Sequence, residues 1–125
     1  MGPIQYDLAS LLIDPYVDLP NGIRTQLLTC AVEKLQKRMR LNADNFKRCY
    51  RLCCLTRNFQ ILGAFGYLTR VKGKMYFEQY IPAAVRTLAH NLKYPEAGKF
   101  PMLGALSDTI VAHDQIKTLS LKEEK

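Results

Sequence analysis

The sequence lacks the patterns that indicate a β-sheet or a zinc site. Few runs alternate between apolar and polar residues, so we expect little or no sheet. No C-x-x-C pair is matched by a second pair or by suitably spaced histidines, which leaves a zinc site poorly supported. Buried, reduced thiols in a cytoplasmic protein are therefore expected for the four cysteines, Cys30, Cys49, Cys53 and Cys54.

The chain also lacks a dense block of one charge. Its 18 lysines and arginines exceed its 11 acidic residues and give a net charge of +7, but they are spread along all 125 residues. A solvated basic surface is favoured over a dedicated nucleic-acid groove. A binder would use Lys47, Arg48 and Arg51, yet no helix-turn-helix spacing or aromatic stacking platform accompanies them. Nucleic acid is thus not an expected partner.

No basic leader opens the chain, since Asp7 and Asp14 lie among its first residues. A signal peptide is not predicted. One domain is the natural expectation for this length, and a hydrophobic content of 48% is ample for a core.

The longest coherent segment, residues 42–73, predicts a central helix. Asn42 or Asp44 can cap its start and Gly73 can end it in a left-handed conformation. Its middle is apolar on most sides, which is typical of a helix inside a bundle. A membrane span is rejected because charged and polar residues interrupt the apolar run, namely Arg51, Arg57, Asn58 and Gln60.

A small, polar stripe follows helical spacing along this central helix. Two interpretations stay open: close packing of a neighbouring helix, or the wall of a ligand cleft. The stripe consists of Cys49, Cys53, Thr56, Gln60, Gly63, Tyr67 and Arg70.

Shorter helices are predicted on either side of the central one. Residues 3–13 and 21–40 precede it; in the second of these, an apolar stripe is formed by Ile23, Leu27, Leu28, Ala31, Leu35 and Met39. Helical segments at 75–80, 83–92 and 101–113 follow it. The expected fold is an all-α bundle around one long helix, with a single domain over residues 1–116 and a charged, frayed tail over 117–125.

The segment that follows Met1 carries a family resemblance. It reads G-P-I-Q-Y-D-L-A-S-L-L-I-D and resembles a stretch of the aminoglycoside phosphotransferase and choline-kinase-like family. It is most similar to the bacterial branch of amino-sugar kinases, which act in cell-wall sugar recycling. Further residues match family patterns in order up to about Glu96: Leu55, Arg57, Leu62, Gly63, Phe65, Tyr76, Ile81, Pro82, Tyr94 and Pro95.

The resemblance implies a helical subdomain like the one in the C-terminal lobe of these kinases. Asp7 matches the aspartate that accepts hydrogen bonds from the catalytic loop, and Tyr6 is expected to pack beside it. Without the resemblance, Asp7 reads as a plain acidic residue in a first helical turn. The acceptor pocket would be walled by Arg57, Gln60 and Tyr67, which are polar groups on an otherwise buried helix.

The catalytic parts of the family have no counterpart in this sequence. Phosphoryl transfer needs a phosphate cradle, a lysine, carboxylates for Mg²⁺ and a base for the acceptor. The family takes these from an N-terminal lobe, an H-x-D-x-x-x-x-N loop and a D-F-x-D segment. We therefore expect a C-terminal piece of such an enzyme, with ATP and Mg²⁺ bound elsewhere and the N-terminal lobe as its partner. The alternative is a stand-alone helical module that forms a homodimer, with no membrane partner in either case.

Overall fold

The computed structural model describes residues 3–123, except for the side chains of 115, 116 and 118–122. These residues form five α-helices and two 3₁₀ helices, and no strand occurs among them. The α-helices are α1 (Ile4–Leu12), α2 (Asn21–Gln36), α3 (Ala43–Arg70), α4 (Ile81–Asn91) and α5 (Pro101–Glu123). The 3₁₀ helices, Met75–Tyr80 and Pro95–Lys99, precede α4 and α5 respectively. The predicted all-α class is confirmed.

The long helix α3 begins and ends as the sequence predicts. The Asn42 side chain accepts a hydrogen bond from the backbone N–H of Asn45 at 2.8 Å, which satisfies one free donor of the first turn. Gly73 takes a φ of +65°, a conformation that is cheap only for glycine. The next N–H, of Lys74, donates back to the carbonyl of Leu68 at 2.9 Å and closes the end of the helix.

The core lies where α1 and α4 pack against α3. Ala9, Leu12 and Ile13 from the first helix and its C-cap meet one face of α3. That face carries Tyr50, Cys54, Ile61 and Phe65, and Ala84 of α4 joins the same cluster. The other predicted core residues of α3, such as Leu55 and Phe59, are half-buried. Leu11 of α1, predicted to make apolar contacts, is 64% exposed.

The sequence-based prediction for α2 was wrong in two respects. The helix ends at Gln36 instead of near residue 40, because the N–H groups of Arg38 and Met39 both donate to the Leu35 carbonyl in a turn toward α3. Its apolar stripe is only partly covered: Ile23, Leu27 and Met39 are exposed, while Leu28, Ala31 and Leu35 are half-buried. The one buried side chain of α2 is Val32.

The last helix is longer than the predicted span of 101–113. It continues to Glu123 and so passes through residue 117, where a frayed tail was expected to begin. No glycine or proline interrupts the chain after Gly104, and charged residues such as lysine and glutamate are good helix formers. Of the expected tail, residues 124 and 125 lie outside the described residues, as does Gly2 of the family-like segment.

Candidate functional site

The two residues assigned to a catalytic-loop anchor lie at the start of α1. Asp7 is in the first turn and its side chain is exposed. Tyr6 is half-buried, and its hydroxyl donates a hydrogen bond to the side-chain carbonyl oxygen of Gln60 on α3. The structure therefore joins one anchor residue directly to one of the residues predicted to wall the acceptor pocket.

The three predicted wall residues differ in exposure, and none of them lines either of the two clefts described below. Gln60 and Tyr67 are both exposed on α3, and seven positions of the sequence separate them. Arg57 is half-buried, and its Nε is a buried nitrogen without a hydrogen-bond partner among the described residues. An unpaired buried donor costs free energy, so this nitrogen favours a segment that offers it an acceptor.

The polar stripe on α3 is covered by no single neighbouring helix. Thr56, Gln60, Gly63, Tyr67 and Arg70 are exposed, while the two cysteines at its start are half-buried. Two of its members do face clefts. Arg70 lines a large groove and Thr56 lines a smaller cleft of about 280 Å³ against α5, and both interpretations of the stripe stay predictions.

The large groove has a volume of about 870 Å³ and lies between the end of α3, the 3₁₀ helix Met75–Tyr80, α4 and α5. Its floor is apolar and is formed by Leu62, Met75, Ile81, Pro82, Val85 and Ile110. Polar groups stand at its rim, where Lys117 of α5 forms an ion pair with Glu78. Hydrogen bonding to that lysine lowers the pKa of the Glu78 carboxyl. A volume of this size suits a small-molecule ligand.

Two polar contacts hold α3 to the elements that follow it. Arg51 donates from its Nε to a carboxylate oxygen of Glu96 at 2.9 Å and from a second nitrogen to the other oxygen. The Arg51 guanidinium also lies 5.1 Å from the ring centre of Tyr94. These bonds keep the pKa of Glu96 below its ordinary value. A bidentate pair of this kind fixes orientation as well as charge.

The three basic residues considered for nucleic-acid binding differ in exposure and in their partners. Arg51 is held by Glu96, and Arg48 donates to the side chain of Asn45 at 2.9 Å. Lys47 is half-buried. The sequence could not show this, because Glu96 lies 45 residues away from its partner.

The four cysteines are free thiols, but the expectation that they are buried was wrong for three of them: Cys30 is exposed, Cys49 and Cys53 are half-buried, and only Cys54 is buried. Burial raises the pKa of Cys54 to about 11 and also raises that of Cys53, so neither is a ready nucleophile at neutral pH. Among the described residues, no group of three or more His, Cys, Asp or Glu side chains is placed to hold a metal ion. No helix in the described part of the chain is both long and apolar enough to cross a bilayer.

Comparisons with known proteins leave the site without a relative. No family model, no curated protein and no solved structure matches the chain.

Proposed function

We propose that this chain serves as the helical C-terminal subdomain of an amino-sugar kinase-like phosphotransferase. In this role it supports the catalytic loop through Asp7 and Tyr6 and contributes Arg57, Gln60 and Tyr67 to the sugar-acceptor side. ATP and Mg²⁺ bind to a separate N-terminal lobe. The support from the sequence is the ordered set of family-like residues between Pro3 and Glu96.

The proposal rests above all on α1, which has two apolar faces. Its inner face places Ala9 and Leu12 in the core and fixes the helix on α3. Its outer face exposes Ile4 and Leu11, with the Asp7 carboxylate between them. A helix that is apolar on both sides is favoured between two layers, and here one layer is α3. The second layer would be the lobe that carries the catalytic loop.

The neighbourhood of the anchor fits this arrangement. A carboxylate that becomes buried on docking needs donors, and the backbone N–H groups of a loop supply them. The Tyr6–Gln60 hydrogen bond couples the position of α1 to that of α3. The buried Nε of Arg57 also gains a partner if the docking segment offers a carbonyl oxygen.

An association experiment tests the anchor role. An N-terminal half that carries the H-x-D-x-x-x-x-N and D-F-x-D segments of this family is mixed with the chain, and binding is measured by calorimetry. Asp7→Ala is expected to weaken binding at least about tenfold, since it leaves loop donors unpaired. The matched control is Asp44→Ala, which removes an exposed carboxylate from the first turn of α3 and should leave binding unchanged. Equal effects of the two substitutions would count against the proposal.

A second candidate function is a homo-oligomeric interaction module. Large apolar side chains are exposed on the first two helices, namely Ile4, Leu11, Ile23 and Leu27. Exposed apolar surface of this kind favours association, and a two-fold dimer would cover the start of α1. Light scattering over a range of protein concentrations tests this: a dimer that Leu11→Ser dissociates supports it, and a monomer at all concentrations excludes it.

A further inference from the structure

The end of α3 and the turn after it form a surface of which the proposed kinase role uses only Tyr67. We call residues 67–76 the α3 tip. Four large apolar or aromatic side chains are exposed within it: Tyr67 at 51%, Val71 at 67%, Met75 at 59% and Tyr76 at 64%. Exposed apolar groups in such density are uncommon on a protein surface unless a partner covers them.

Positive charge is interleaved with these side chains. Arg70, Lys72 and Lys74 are all exposed, and no acidic residue occurs within the α3 tip. The nearest carboxylate in the sequence, Glu78, is already paired with Lys117. The surface therefore presents three cations beside exposed apolar groups, and its charge complements an anionic partner.

The backbone of the α3 tip is held in one shape. Gly73 turns the chain with a φ of +65°, and the Lys74 N–H donates to the Leu68 carbonyl at 2.9 Å. Directly after the turn, the ring of Phe77 stacks on buried Phe65, with ring centres 5.8 Å apart. Because the surface is preformed, binding would cost little ordering entropy.

We propose that the α3 tip docks on the surface of an anionic lipid bilayer. Val71 and Met75 insert among the acyl chains just below the headgroups, and Tyr76 lies at the level of the interface, where tyrosine is favoured. Arg70, Lys72 and Lys74 contact the anionic headgroups, each adding to the affinity. The association is peripheral, involves only this edge of the molecule, and departs from the sequence-based expectation of no membrane partner.

A bilayer fits these side chains better than a single-stranded nucleic acid does. Base stacking needs free aromatic faces, but the Lys72 ammonium lies 5.9 Å from the centre of the Tyr67 ring, over its face. The Tyr76 hydroxyl is bonded to that of Tyr80 at 2.8 Å. Val71, the most exposed of the four large apolar or aromatic side chains of the tip, has no ring to stack and gains free energy mainly by leaving water.

Vesicle co-sedimentation tests the proposal directly. The chain is expected to bind vesicles of phosphatidylcholine that contain phosphatidylserine and to bind pure phosphatidylcholine far less. Lys72→Gln/Lys74→Gln should lower the partition coefficient about tenfold or more. Val71→Ser/Met75→Ser should also lower it several-fold at unchanged charge, because buried apolar area is lost. The charge control is Lys34→Gln/Lys37→Gln at the end of α2 and just after it, which changes the net charge equally at two exposed sites and should leave binding nearly unchanged.

The absence of tryptophan from the chain allows a second, spectroscopic readout. Met75→Trp places a single fluorophore on the α3 tip, and Met39→Trp places one at an exposed site that lies among basic residues but outside the tip. Phosphatidylserine vesicles should shift the emission of Met75→Trp to the blue and leave that of Met39→Trp in place. The proposal is overturned if neither emission shifts, or if both lysine pairs weaken binding equally. It is also overturned if single-stranded oligonucleotides bind at the tip and vesicles do not.

Discussion

The side-chain amide of Asn91 on α4 donates a hydrogen bond at 2.7 Å to the side-chain oxygen of Asn58 on α3. Both residues are buried, and Asn58 is fully so. The amide nitrogen of Asn58 in turn donates to the hydroxyl of Thr87 at 2.7 Å. This hydroxyl donates to the carbonyl of Ala84 at 2.9 Å. A connected polar network thus fixes how α4 lies on the central helix, since a slip of either helix would leave buried groups unpaired.

Asn58→Ala is predicted to destabilise the fold by about 2–3 kcal/mol, because the buried Asn91 amide loses its acceptor and the Thr87 hydroxyl loses the donor that bonds to it. Urea unfolding followed by circular dichroism measures the change. Asn45→Ala is the matched control, since the Asn45 side chain is an exposed acceptor for Arg48 and its loss should cost less than about 0.5 kcal/mol. A loss below 1 kcal/mol for Asn58→Ala would show that the network contributes little.

The Arg51–Glu96 pair predicts a dependence of stability on pH. The pKa of Glu96 is lowered in the folded protein, so the pair stabilises the fold above the unfolded pKa of about 4.3. This stability is lost as the pH falls through the lower, folded value. Glu96→Gln should therefore lower the free energy of unfolding by about 2 kcal/mol at neutral pH. The cost is of this moderate size because Glu96 is buried but the Arg51 side chain is a quarter exposed. The cost should fall progressively in acid, because Glu96 itself is then protonated.

The control for this prediction is the exposed pair between Arg86 and Asp18. Both side chains are largely open to solvent, so Asp18→Asn should cost less than about 1 kcal/mol. Parallel urea titrations of the two variants across acid and neutral pH give the comparison. Equal costs for the buried and the exposed pair, or a Glu96→Gln cost that stays constant with pH, would contradict the assignment.

Alanine substitutions at two glycines near the end of α3 are predicted to change the stability of the fold in opposite directions. Gly73 has a φ of +65°, where a Cβ is strained, so Gly73→Ala should cost about 1 kcal/mol. Gly66 is helical and a Cβ there meets no atom within 4 Å, so Gly66→Ala should stabilise by about 0.5–1 kcal/mol. Thermal melts of both variants test this. The same sign for both would mean that the turn at Gly73 is not formed in solution.

The thiols are predicted to react in order of their exposure. Cys30 is exposed on α2 and should be modified rapidly by a disulfide reagent at neutral pH. Cys54 is buried with a pKa raised to about 11, so its modification should wait for unfolding. Mass spectrometry after timed labelling identifies the sites. Labelling of Cys54 in the native protein at a rate close to that of Cys30 would show that α1 does not pack over Cys54 in the core.

The local rules of helix formation predicted much of this fold from the sequence. The cap at Asn42 and the end at Gly73 follow from short-range sterics and hydrogen bonding, whereas α4 begins at Ile81, two residues before the predicted segment 83–92. The length of α5 was missed, since its charged second half read as a tail although no residue there breaks a helix. The Lys117 ammonium donates a hydrogen bond to the Glu78 carboxylate, although the two residues are 39 positions apart in the sequence. No local sequence pattern predicts such a contact.

Long-range pairing explains most of what the sequence did not predict about the candidate site. The hydrogen bond from Tyr6 to Gln60 joins residues 54 apart, and the bond from Asn91 to Asn58 joins residues 33 apart. The exposure of Ile23 and Leu27 was not predicted for a related reason. An apolar stripe predicts which face of a helix tends to be buried, but it does not show whether another element of the same chain packs against that face. The same holds for Val71 and Met75 at the α3 tip.

The most direct test of the proposed kinase role is an assay of phosphoryl transfer from ATP to N-acetylmuramate in the presence of Mg²⁺. The chain is assayed alone and together with the N-terminal half that carries the catalytic segments of this family. Our account predicts no product from either polypeptide alone and clear product from the mixture, reduced by Asp7→Ala. Phosphorylation by this chain alone, or a mixture that associates and yet stays inactive, would contradict it.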